Sequence, residues 1–378
     1  MDVLQPVIRP YAWGSRCGIA ELQGRPVPAA GPEAELWMGA HPSSPSGVQR
    51  AGRRTTLDAI IAADPVRELG AECAERFGGR LPFLLKVLSA EKALSIQVHP
   101  SRTQAQAGYQ AENARGLAPG DPARNYVDDW PKPELAYALT PFEVLAGMRD
   151  SRDTAAFLHV LGLSVPADLE TILTWPDADR ADLIRDVLAA CARLTEGPYA
   201  PAAAAIREIA EGHPGDIGIV AALLLRHAVL QPGEAMFMPA GGLHAYLRGT
   251  CIELLANSDN VVRAGLTGKH IDVPELLSLL DPALPVPILT PVRPAPGIAI
   301  YDAGVPEFRL YRIDLGDDPM DIPGAGPRIL LCTSGEAILS TAGDKAKLAQ
   351  GESCFVSAAD GAVAGAGPAR VFQATVGS

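Results

Sequence analysis

Two stretches far apart in the chain carry side chains whose types and spacing suit a metal ion. In LSIQVHPS, residues 94–101, Gln97 and His99 stand two apart. If 93–99 is a strand, alternation sends both to one face, where an amide oxygen and a neutral imidazole make half of a metal site. In PGEAMFMPAGGLHAY, residues 232–246, glycines and a proline turn the chain tightly, and the turn pushes His244 inward. A carboxylate is still wanted, and WPKPELAY supplies Glu134 between prolines that fix local geometry and an apolar run. Gln97, His99, Glu134 and His244 would give a mixed oxygen and nitrogen set with room for a water or a substrate oxygen, as catalytic zinc requires. Taken singly, Gln97 could equally be a cross-strand polar pair and Glu134 an edge-strand surface carboxylate.

The elements that would position these residues are short and mostly extended. Glycine (37) and proline (34) punctuate apolar runs such as LPFLLKVLSA (81–90), ALSIQVH (93–99), ELAYALTPFEVLAGM (134–148) and EAMFMPAG (234–241), the texture of a β-sandwich or jelly roll. From 151 to 228 the texture changes. Leu183, Ile184, Val187, Leu188, Cys191 and Leu194 recur at helical spacing, with Asp182, Arg185, Asp186 and Arg193 elsewhere on the wheel. The spacing predicts a helical domain at 151–228 inserted into a β domain made of 1–150 and 229–285. A proline-rich passage (281–297) reads as a linker into a last strand-rich section, 286–378. There AQGESCFVSAADGAVAGAG echoes LQPGEAMFMPAGGLHAY, which suggests two related β domains, the second without histidines in the echoed stretch.

Composition excludes several classes. With 32 basic and 44 acidic residues the formal charge is −12, and no Lys/Arg block stands out, so the footprint of a nucleic-acid binder is missing. An anionic substrate would need a locally basic pocket. The longest apolar run, IGIVAALLL (217–225), falls far short of the ~20 residues that span a bilayer, and the first residues do not read as a signal peptide. A cytoplasmic, soluble protein with no membrane partner is expected. Six scattered cysteines without a C-x-x-C pair argue against a disulfide framework and a thiolate zinc site.

Gly233, Pro239, Gly241 and His244 resemble the second metal-binding motif of the cupin superfamily, G-x5-P-x-G-x2-H, although Arg248 replaces the asparagine expected four residues later. More broadly, RPYAWGS (9–15), AELWMGAHPSSPS (34–46), LPFLLKVLSAEKALSIQVHP (81–100), YVDDWPKPELAYAL (126–139) and the run from 239 to 273 together resemble the type I phosphomannose isomerases. The resemblance implies a mainly β fold with a helical insertion: two cupin-type jelly-roll β-barrels plus a small α-helical domain. It implies an enzyme, expected to act as a monomer, that uses one zinc ion to interconvert mannose 6-phosphate and fructose 6-phosphate, with Gln97, His99, Glu134 and His244 as the ligands.

Moving a proton between adjacent carbons through a cis-enediol needs a base near both carbons and a proton shuttle between two oxygens. Glu253, Asp259 and Lys132 are the candidates, and Arg263, in SDNVVRAG, could stabilise the enediolate unless it is an ordinary ion-pair partner of Asp259. Trp13, His41 and Tyr246 are expected at the substrate. No glycine loop of a phosphate-binding kind is present, so Lys86, Ser95 and Lys269 are the expected phosphate donors. For Lys86 the competing reading is a lysine snorkelling from an edge strand. His159, His213 and His227 are given no functional role, and His270 is read as surface or structural. Two other functions fit the residues in part: an iron dioxygenase of cupin type, and a sugar-binding metal cupin that performs no chemistry.

Overall fold

The computed structural model describes residues 1–377. The chain is mainly β: its strands gather into one sheet of eleven and one of twelve strands. Helices Ser151–Leu161, Leu169–Leu173, Asp177–Arg193, Ala200–Gly212 and Gly218–Ala221 follow one another in the middle of the sequence. The first of them is capped by Asp150, whose carboxylate accepts from the Arg152 and Asp153 amides, and ends at Gly162 in the left-handed region. On Asp177–Arg193 the buried positions are Ile184, Val187, Ala190 and Cys191, the stripe that the helical spacing predicts. That stripe shares a core with Ile96, Val98, Leu145, Ala245, Leu247 and Val262, so the helices pack on the outer face of the eleven-stranded sheet.

One strand organises that sheet. His244–Ala256 begins between Phe142–Met148 and Ile96–Val98, with His244 opposite both Ala146 and Gln97. After a register shift between Tyr246 and Arg248 it passes between Phe83–Ala90 and Glu134–Ala138, pairing Glu253 with Lys86 on one side and with Ala136 on the other. Alternation then separates two faces. Leu85, Val87, Leu135, Tyr137, Ile252 and Leu254 point one way and join Tyr301, Leu331, Phe355 and Phe372 of the other sheet in a common core. Each such large apolar side chain contributes roughly 1.5–3 kcal/mol on burial, which holds the two sheets together. Leu88, Ala136, Ala138, Cys251 and Tyr246 point the opposite way, toward the inner face that also carries Lys86, Glu134 and Glu253.

Chain order and spatial order part company at two places. Asp2–Gln5 pairs with Ser353–Val356 and with Gly47–Arg50, so it joins the strands of 292–375 and the hairpin Gly47–Arg50 and Arg53–Thr56 in one sheet. The expected linker is also paired in part, since Ile288–Leu289 adds to Ala235–Met238 and Val292–Ala295 pairs with Ile298–Tyr301. The six cysteines are all unpaired and all but Cys17 are buried. Among the described residues no helix is long and apolar enough to cross a membrane.

Candidate metal centre

Glu134, His99 and His244 converge on the inner face. His99 Nε2 lies 3.2 Å from Glu134 Oε1 and His244 Nε2 lies 3.4 Å from Glu134 Oε2. The atoms available for ligation all lie within 4.8 Å of one another, and all three residues are buried. Donors about 2.0 Å from one zinc ion at tetrahedral angles stand about 3.3 Å apart, so this spacing suits a single ion. Both imidazoles are oriented from behind: His99 Nδ1–H donates to the Asn260 carbonyl at 2.8 Å, and His244 Nδ1–H donates to that of Gly242 at 3.1 Å. Each Nε2 is thereby left as a lone pair facing the common point, and His99 Nε2 has no hydrogen-bond partner at all. Burial, opposed by Glu134, pushes the His99 pKa down to about 4, which keeps the ring neutral as a ligand must be.

The carboxylate is held as an anion. Burial works against its charge, but the Lys132 ammonium, 3.2 Å away, favours it, and Glu134 stays well below the usual carboxylate range. Tyr246 also reaches it, its hydroxyl donating to Oε2 at 3.4 Å. Gln97 borders the cluster, with its amide nitrogen 3.4 Å from His244 Nε2 and its oxygen accepting from Ser95 Oγ at 3.3 Å. A half-turn of the amide plane presents the oxygen to the same point, as ligation would require.

Beside this cluster lies a second one built around Lys86. Its ammonium sits 3.3 Å from Glu35 Oε1 and 3.1 Å from Glu253 Oε2, over the Trp37 ring at 4.9 Å, and Trp37 Nε1–H donates to Glu35 Oε2. Lys86 is only 6 % exposed on a central strand, so the snorkelling alternative does not describe it. Burial disfavours its charge, but Glu253, Glu35 and Glu134 raise its pKa, and the pairing consumes the charge inside the protein. Burial in turn raises Glu253, whose Oε2 keeps the ion pair with Lys86 but accepts no hydrogen bond. Further along, Asp259 turns to His41, whose Nε2 lies 3.3 Å from its Oδ1, rather than to Arg263. His41 Nδ1 accepts from the Ser43 amide, so Nε2 carries the proton.

A cavity of about 1010 Å³ opens onto both clusters. Trp13, Lys86, Ser95, Lys132, Tyr246, Glu253, Asp259, Arg263 and Lys269 line it together with Gln97 and Glu134. His99 and His244 sit beneath this lining, and His41 lies behind it, buried edge-on against Trp37. Burial lowers the Arg263 pKa, and burial together with Arg263 itself lowers that of Lys269. Among the described residues Arg263 has no carboxylate partner, so these two cations face the cavity with spare attraction for an anion. Reasoning from sequence passed over Glu35, as well as His213 and His270, both of which line the cavity, the former from the helical segment. Glu35 had a usable signal: it stands two residues from Trp37, the same-face spacing of Gln97 and His99.

Comparison with known proteins decides the family. Residues 1–151 match the family described as phosphomannose isomerase type I, catalytic domain. Over 99 % of both chains the sequence is 39 % identical to the mannose-6-phosphate isomerase of Escherichia coli strain K12. The chain belongs to the type I phosphomannose isomerase family. The likeness extends to eukaryotes, with 35 % identity to the mannose-6-phosphate isomerase of Bos taurus over 82 % of this chain and 81 % of that one. In structure this phosphomannose isomerase family member resembles the Salmonella typhimurium mannose 6-phosphate isomerase bound to fructose 6-phosphate and zinc, with a TM-score of 0.91, 35 % identity and full coverage of both chains.

Proposed function

We infer that this chain is a zinc-dependent isomerase that interconverts mannose 6-phosphate and fructose 6-phosphate by proton transfer through a cis-enediol. The observation that carries the reading is the convergence of His99, Glu134 and His244 on one point at the floor of a cavity that also holds unpaired cations. We read Gln97 as the fourth protein ligand. We also read the two sheets as cupin-type jelly rolls with 151–228 as a helical domain between the two halves of the first, a reading supported by the long strand that changes partners midway.

Bound zinc would supply a Lewis acid at the sugar's carbon 1 and carbon 2 oxygens. The chain's own groups divide the remaining work. Glu253, with its raised pKa and an oxygen free of hydrogen bonds, takes the carbon-bound proton and returns it to the neighbouring carbon. Lys86 keeps that carboxylate in place. Asp259 is held ionised, since the hydrogen bond from His41 and the charges of Lys132 and Lys86 outweigh its burial, and with Lys132 it moves protons between the two sugar oxygens. Arg263 faces the negative charge that develops on the enediolate. Lys269 and Ser95, at the cationic end of the cavity, take the phosphate, and Trp13 and Tyr246 wall the sugar.

The test is exchange of the carbon 2 proton of mannose 6-phosphate with solvent deuterium. Exchange together with turnover, both abolished by a chelator and restored by zinc, is the expected result. Sugar-phosphate binding without exchange would instead identify a binding protein, and a requirement for iron would overturn the isomerase reading.

A further inference from the structure

The His99 ring is aimed by a carbonyl that does not belong to any strand. Asn260 lies just before Val262–Gly265, at 0 % exposure, in a loop that folds against the segment leading to Glu134. Its side chain uses its whole hydrogen-bonding capacity there. Oδ1 accepts from the backbone amides of Val127 at 2.8 Å and Asp128 at 3.2 Å, while Nδ2 donates to the carbonyls of Asp128 and Trp130, both at 2.8 Å. The orientation of the amide is dictated, because the flipped form would set its NH₂ against two N–H donors.

Two more links close the knot. Ser258 Oγ–H donates to Asp128 Oδ1 at 2.8 Å and accepts from the Asn260 amide at 3.2 Å, and the Asp259 amide donates to Asp128 Oδ2 at 2.9 Å. None of these bonds touches the cavity centre. Their effect is to clamp 127–130, four residues before the ligand Glu134, against 258–260, whose last carbonyl holds the His99 Nδ1–H at 2.8 Å. One asparagine therefore ties the direction of one ligand to the anchorage of another.

We propose that Asn260 is a positioning residue for the metal, setting zinc affinity through the carbonyl it holds against His99 and the clamp it places before Glu134. The proposal rests on the zinc reading of the site. Groups that orient a ligating histidine typically change metal affinity by about 10–100-fold when lost. Asn260→Asp keeps the shape but removes both Nδ2 donors, leaving the Asp128 and Trp130 carbonyls facing a carboxylate.

The experiment measures zinc dissociation constants of the full chain by competition with a chromophoric chelator, alongside melting of the metal-free protein and the visible absorption of the cobalt-substituted form. Asn260→Asp is expected to bind zinc about 10–100-fold more weakly with an altered cobalt spectrum. Ser258→Ala removes one link and should weaken binding by less; it also serves if Asn260→Asp does not fold. Asn257→Ala is the control in the same loop, since the Asn257 side chain donates only to the Leu81 carbonyl and its substitution should leave affinity unchanged. If the Asn260 and Ser258 variants lose only melting temperature and keep parental zinc affinity, Asn260 is a structural residue and the proposal fails. A parent protein that binds no zinc would sink the zinc reading itself, a separate result.

Discussion

The two sheets repeat one turn and put it to opposite uses. Before Ala235–Met238, Gly233 has φ +102° and the Gln231 amide donates to the Glu234 carboxylate at 2.7 Å. Before Ser353–Val356, Gly351 has φ +85° and the Ala349 amide donates to the Glu352 carboxylate at 2.9 Å. The next strand after Ala235–Met238 opens with His244; the next strand after Ser353–Val356 opens with Val363. Each sheet also owns a thirteen-residue strand that changes partners along its length, His244–Ala256 and Arg328–Ser340. Yet Val363, Ile313, Leu330, Cys332, Leu339 and Leu348 form an apolar cluster on one face of the second sheet, and its buried polar neighbours, Arg328 and Gln373, donate to backbone carbonyls. The scaffold that aims a ligand is thus separable from the ligand, and the second sheet puts the same geometry to work in packing.

The largest effect is expected where the two differ most. His244→Ala removes a metal donor, and turnover should fall by about a thousandfold or more because several kcal/mol of charge stabilisation leave with the ion. Metal analysis of the purified variant checks this: zinc retained at one per chain would remove His244 from the ligand set. The reciprocal change, Val363→His, should bind no metal and should cost about 2–3 kcal/mol in chemical denaturation, since a lone imidazole is buried there without a partner. Zinc captured by that variant would show that the inner face matters less than the turn.

A smaller effect is expected from a cation that contributes charge without ligating. Arg263→Ala should lower kcat by about 10²–10³-fold while leaving zinc content unchanged, as for a contact made mainly in the transition state. Steady-state kinetics with mannose 6-phosphate decide it. A rise in KM with normal kcat would assign Arg263 to ground-state phosphate binding beside Lys269.

The ligand side of this comparison was legible in the chain, and much of its support was not. Period-two spacing carries Gln97 and His99, and the glycine and proline turn carries His244, because strand alternation and turn sterics are local rules. The helix Arg102–Ala114, which starts three residues after His99, carries a local signal of the same kind, the Ser101–Gln104 capping box, and the reading of the sequence did not include it. What no local rule supplies is the identity of a distant partner. Asp2–Gln5 reads as any short strand, and only the assembled fold sends it to Ser353–Val356. Likewise Lys86 between Glu35 and Glu253, three charges more than 200 positions apart at the extremes, becomes a buried triad only once three strands lie side by side. His41 is the same case: its motif suggests contact with substrate, but neighbouring Trp37 and Ser43 draw the ring behind the cavity wall.

The smallest predicted difference separates the two copies of the shared turn. Alanine at either glycine must adopt a left-handed backbone, which costs about 1–2 kcal/mol. At Gly233 nothing else opposes it, since the nearest atom to the new Cβ is Tyr137 Oη at 3.9 Å. At Gly351 the Cβ would lie 2.7 Å from Gln23 Cα and 2.8 Å from the Leu22 carbonyl oxygen, both backbone atoms at the end of the helix Gly18–Leu22. Backbone cannot rotate away as a side chain can, so about 1–3 kcal/mol of overpacking adds to the strain. Gly351→Ala should therefore be the more destabilising by denaturant melting, with zinc affinity intact, whereas Gly233→Ala should be mild in stability. Equal losses would mean that the second turn is not pressed against the helix at the start of the chain, and that its glycine serves conformation alone, as in the first.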